Sequence, residues 1–91
     1  EPPRPVAGRC PPPTYPPRAL DLELEGVVFL RVRISEKGLV EECLIHASSG
    51  YESLDQAAAD AVTRWRFKPA RRGHRTQAHW LRVPIRFRLT D

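Results

Sequence analysis

The sequence predicts an α+β fold: a three-stranded antiparallel sheet of order 2-1-3, with one long amphipathic helix and a short N-terminal helix on one face. Three observations carry that expectation. Residues 27–47 hold two apolar segments joined by a Gly-containing tetrapeptide. A stripe at helical spacing follows, and a last segment alternates with period two.

In chain order, Pro17 suits the start of a short helical turn over Arg18 to Leu24. Val28, Leu30, Val32 and Ile34 then alternate with Val27, Phe29, Arg31 and Arg33, a strand with one strongly apolar face. Ser35-Glu36-Lys37-Gly38 supplies the turn, with Gly38 free to take positive φ. Val40 to Ala47 is the return strand, placing Cys43, Ile45 and Ala47 opposite Glu42, Leu44 and His46.

Ser48-Ser49-Gly50 breaks that strand as a turn, and Ser53 followed by Gln56 has the spacing of a capping box. Leu54, Ala58, Ala61, Val62 and Trp65 form the apolar stripe of the long helix, with Trp65 read as core. Asp55 in the first turn and Arg64 and Arg66 in the last suit the helix dipole. Asp60 and Arg64 add an i,i+4 pair, and Pro69 ends the helix.

Leu81, Val83, Ile85, Phe87 and Leu89 share one face of the last strand, opposite Arg82, Pro84, Arg86 and Arg88. The long helix-bearing connection to it suits a crossover. Pro84 is tolerated at an edge, so this strand is expected to pair with the first and leave its other side open.

Eight of the ten prolines fall in residues 1–17. Residues 1–13 are therefore read as an extended proline-rich linker tail and 14–91 as the folded domain. No apolar run reaches the roughly 18 residues of a membrane span, and no signal-peptide pattern is present. A start at Glu1-Pro2-Pro3 without Met points to a piece of something longer. The chain carries net charge +4, but residues 61–91 hold nine basic residues and one acidic. Such a stretch motivates an alternative reading, a basic nucleic-acid-binding module, against a solvated sheet face.

No nucleophile–base motif or phosphate loop is present, and the sequence is read as non-enzymatic, without cofactor. His46, His74 and His79 do not form a metal site with Cys10 and Cys43, since Cys43 and His46 point to opposite faces of one strand.

The ordered blocks Pro13-Thr14-Tyr15-Pro16-Pro17-Arg18-Ala19, Glu25-Gly26-Val27-Val28 and Gly38-Leu39-Val40 resemble the C-terminal domain of the TonB family. Ser48-Ser49-Gly50-Tyr51, Leu54-Asp55-Gln56-Ala57-Ala58, Arg64-Trp65-Arg66-Phe67-Lys68-Pro69-Ala70 and Pro84-Ile85-Arg86-Phe87 continue the match. Pro11-Pro12-Pro13 departs from it, where some members carry glutamine and other polar residues. The resemblance implies a periplasmic domain on a proline-rich spacer, anchored in the inner membrane of a Gram-negative bacterium. It also implies work with the ExbB–ExbD proton-driven motor and binding of the TonB box of outer-membrane transporters for siderophores, cobalamin or haem.

On that footing the open edge is the expected binding site, since an extended peptide can add to it as a further strand. The candidate contacts are Trp80, Arg82, Val83, Pro84, Ile85, Arg86, Phe87 and Arg88. Backbone groups of Arg82, Arg86 and Arg88 are expected to face the open edge with a gap at Pro84, while Val83, Ile85 and Phe87 direct theirs to the first strand. Tyr15 is open to two readings, packing the tail onto the domain or contacting the partner. The same edge could join a second copy into a homodimer. Nucleic acid is not expected as a partner, because Trp80 is the one aromatic seen among the arginines.

In an oxidising compartment Cys10 and Cys43 could join, closing a loop of roughly 34 residues with a contribution of about 3–4 kcal/mol. Alternatively Cys43 is a small core residue. Both readings stand at this level.

Overall fold

The computed structural model describes residues 1–89. In chain order it holds β1 (Arg4–Pro5), α1 (Pro17–Asp21), β2 (Gly26–Ile34), β3 (Val40–Ala47) and α2 (Glu52–Val62). Four strands follow: β4 (Phe67–Lys68), β5 (Ala70–Arg72), β6 (Arg75–Gln77) and β7 (His79–Phe87). The main sheet is antiparallel with order β3-β2-β7, the arrangement expected from the pattern. Two short ribbons, β1–β4 and β5–β6, stand beside it.

One face of the sheet makes the core. Val28, Leu30, Val32 and Ile34 of β2 are buried with Val83, Ile85 and Phe87 of β7. Leu54, Ala58 and Val62 of α2, Ala19 of α1 and Phe67 of β4 close over them. Burying so many aliphatic side chains in one cluster is the main source of stability for so short a chain.

The β2–β3 turn is fixed locally and from a distance. The Ser35 hydroxyl accepts from the Lys37 and Leu39 amides, each at 3.1 Å. Gly38 adopts φ +82°, and a Cβ there would lie 1.9 Å from the Phe67 carbonyl oxygen. The Gly38 carbonyl in turn accepts from the Phe67 amide at 2.9 Å. Only glycine permits both the backbone angle and this approach.

Helix α2 differs from expectation at both ends. Its N-cap is Tyr51, which makes no side-chain cap bond, and Ser53 lies inside the helix, so Ser53–Gln56 is not a capping box. Gln56 instead donates to Asp60 Oδ1 at 3.0 Å. The order at this end comes from Asp55, 7% exposed, whose carboxylate accepts from the Ser49 amide at 2.8 Å, the Ser49 hydroxyl at 2.7 Å and the Ser48 hydroxyl. Ser48 and Ser49 are thus donors to a buried acid and more than a turn.

The helix stops at Thr63, well before Pro69. The stripe explains why. At 3.6 residues per turn Phe67 would fall nearly opposite Leu54, Ala58 and Val62. The chain must leave the helix to bury Phe67, which is 3% exposed. Trp65 therefore lies beyond the helix, half-buried beside the core, and its indole N–H donates to the Pro11 carbonyl at 2.7 Å. It is not the interior helix residue the stripe implied. No Asp60–Arg64 ion pair forms either; among the described residues the ion pair is Arg33–Glu41, at 3.6 Å.

The segment read as a linker lies along residues 65–71. Arg4 pairs with Lys68 and Pro5 with Phe67. The Val6 amide donates to the Arg66 carbonyl at 2.9 Å, the Arg66 amide to Arg9 at 3.3 Å, and the Arg71 amide to Glu1 at 3.0 Å. These contacts escaped the sequence because proline-rich chain carries no periodic signal, and its partners lie over fifty residues away.

Candidate functional site

Strand β7 is the candidate site. It pairs with β2 along its whole length, from His79 against Ile34 to Phe87 against Gly26. Its other side has no partner strand among the described residues. The strand begins two residues earlier than the alternation indicated and ends at Phe87, which leaves Arg88 just beyond it. The Leu89 amide donates to the Glu25 carboxylate at 2.8 Å, which ties the chain back to the start of β2.

Side chains alternate as a half-buried strand requires. Val83, Ile85 and Phe87 are buried, whereas Trp80, Arg82, Pro84 and Arg86 are exposed. Val83, Ile85 and Phe87 therefore hold the strand in place through their buried side chains. Pro84 sits opposite Phe29.

The outer face of the sheet is more aromatic than expected. The Arg31 guanidinium lies 5.4 Å from the Trp80 ring centroid, and that of Arg82 lies 6.0 Å from Phe29. Arg31 and Arg82 are directly opposed in the ladder, so the stacking draws two like charges apart onto neighbouring rings. The Arg82 guanidinium also comes within 3.5 Å of His46 Nε2. Phe29 and His46 were not counted with this surface, although the period-two alternation of their strands already placed Phe29 away from the core. The argument that Trp80 is the one aromatic there is corrected accordingly.

Tyr15 takes a packing position. Its ring meets Phe87 edge-on, with centroids 5.3 Å apart, and its hydroxyl donates to the Leu24 carbonyl. Burial, with a smaller push from Glu25, holds its phenol above the ordinary tyrosine range. It therefore supports the C-terminal end of β7 from the core side.

The two cysteines are free thiols. Cys10 donates to the Arg66 carbonyl at 3.3 Å. Cys43 sits opposite Val32 against the core, where burial pushes its thiol up. Among the described residues no three His, Cys, Asp or Glu side chains gather as a metal site.

Comparison with known proteins identifies the family. A family model described as Gram-negative bacterial TonB protein C-terminal matches residues 11–89. Protein tonB2 of Pseudomonas aeruginosa is 47% identical over 79 residues, covering 87% of this chain and 29% of that protein. Protein TonB of Xanthomonas campestris is 36% identical over 78 residues, covering 86% of this chain and 35% of that relative. Protein TonB of Vibrio cholerae is 35% identical over 77 residues, with 85% and 32% covered. This chain thus spans about a third of the length of these curated relatives. The solution NMR structure of the Pseudomonas aeruginosa TonB CTD aligns at a TM-score of 0.79 with 25% identity, covering 98% of this chain and 88% of that one. The chain belongs to the TonB C-terminal domain family.

Proposed function

We propose that this domain works in the periplasm, binding the TonB box of outer-membrane transporters by strand addition along β7. It would pass force from the inner-membrane ExbB–ExbD motor to the uptake of siderophores, cobalamin or haem. The observation that carries this reading is the terminal place of a nine-residue strand in the order β3-β2-β7. Such an edge offers a row of donors and acceptors that an extended peptide can satisfy whatever its side chains.

Pro84 supports the orientation of those groups. Proline has no N–H, so its place opposite Phe29 costs the ladder nothing when its backbone faces outward. By period two Arg82 and Arg86 then present outward amides, with a gap between them. In the absence of peptide the same edge would accept a second copy of the domain.

Titration of the labelled domain with TonB-box peptide, followed by NMR, tests the reading. Shifts are expected along residues 80–88 with little dependence on salt. Shifts confined to the β2–β3 hairpin would contradict strand addition at β7. Binding that instead favours nucleic acid and falls steeply with salt would point to the alternative module.

A further inference from the structure

We infer that the two short ribbons form a docking face for the headgroups of an anionic phospholipid bilayer. In β1–β4, Arg4 stands directly opposite Lys68; in β5–β6, Arg72 stands directly opposite Arg75. Like charges placed opposite one another on a two-stranded ribbon destabilise it. Here two such pairs occur in neighbouring ribbons, and all of their cations but Arg4 lie in residues 61–89, which contain no acidic residue.

Arg4, Lys68, Arg71, Arg72, His74 and Arg75 are all exposed. Among the described residues the ion pair is Arg33–Glu41, so none of these cations is paired with a described carboxylate. Between the ribbons lies a cleft of about 480 Å³ lined by Arg4, Lys68 and Arg71 with Pro2, Pro69 and Glu1, the last being the one acid nearby. Oxyanions seated against this face would relieve both opposed pairs.

The shape of the face selects the occupant. The cations continue from the cleft to the hairpin tip, where Gly73, at φ +64°, and His74 make the two-residue turn. A single phosphate cannot meet them all. Residues 71–77 expose no Phe, Tyr or Trp ring for stacking on bases, only the imidazole of His74, and no large apolar side chain to anchor a protein interface. A dense array of phosphate headgroups matches what remains: several mobile guanidinium groups acting near a charged surface.

Vesicle co-sedimentation tests the inference, using phosphatidylcholine alone and phosphatidylcholine with a third phosphatidylglycerol. The chain should bind the anionic vesicles, lose binding between 50 and 300 mM salt, and ignore the neutral ones. Replacing Arg71, Arg72 and Arg75 together by Gln should lower the partition coefficient on the order of a hundredfold. Replacement of the same three by Lys should preserve most of it. Any of four results would overturn the inference: no binding to anionic vesicles, equal binding to neutral ones, unchanged binding by the Gln variant, or displacement by millimolar inorganic phosphate at constant ionic strength.

Discussion

The β2–β7 seam and the β1–β4 seam are both antiparallel pairings, yet they are held by different forces. Along β2–β7 every second side chain enters the core, so each ladder bond is backed by buried apolar surface. Along β1–β4 the paired residues are exposed except Phe67, and the tail is held by hydrogen bonds from Val6, Arg66, Trp65 and Cys10 to single carbonyls. Backbone bonds exchanged with water contribute little net stability, whereas bonds that ride on buried side chains open only with the core. The tail should therefore open locally, while the sheet should not.

The largest expected effect comes from the point where the two regions meet. Gly38→Ala would place a methyl group on the Phe67 carbonyl at a positive φ, straining the hairpin and pushing β4 away together. A loss of about 4 kcal/mol or more is expected, read as a collapse of the melting temperature. A variant that loses only the tail contacts, with the sheet intact, would show the two regions to be uncoupled.

Asp55 comes next, because it secures α2 to the end of β3. Asp55→Ala removes the acceptor of three hydrogen bonds and should cost about 3 kcal/mol by chemical denaturation. Burial raises the pKa of this carboxyl, but the Ser48 and Ser49 donors outweigh it and hold the acid below its ordinary range. A depressed folded-state pKa means the stabilisation is complete above the unfolded value, near about 4. It is lost as pH falls through the lower folded value. Denaturation curves from pH 5 to pH 2 should show this loss, and Asp55→Asn should flatten it.

Trp65→Phe should have the smallest effect. It removes the indole donor to Pro11 while keeping a ring beside the core, and should cost about 1 kcal/mol. Hydrogen exchange should quicken at the Val6 and Arg66 amides and stay unchanged in β2 and β7. Equal acceleration in both seams would mean that tail and sheet open as one unit.

The main sheet was legible because its information is local. Alternation through Val28–Ile34 and Leu81–Phe87 states which side faces inward, and one proline was enough to nominate the edge. The helix stripe was legible too, but its end was not, since burial of Phe67 overrides a helical pattern that runs on through Trp65. Asp55 reads in sequence as an ordinary first-turn acid; its role depends on two serines brought close by the fold. The approach of Gly38 to Phe67 and the docking of the tail join distant segments, and no periodicity records them. At the candidate edge, Arg82 and Arg86 were legible from alternation, while Phe29 and His46 entered only when neighbouring strands were laid side by side.

The most direct test of strand addition along β7 compares proline at two adjacent positions. Arg86→Pro should remove an outward donor and spare the ladder, lowering TonB-box peptide affinity more than stability. Ile85→Pro should delete a ladder bond opposite Val28 and unfold the domain. If Arg86→Pro unfolds the domain as completely as Ile85→Pro, or leaves peptide affinity untouched, the open edge is not oriented for docking as described.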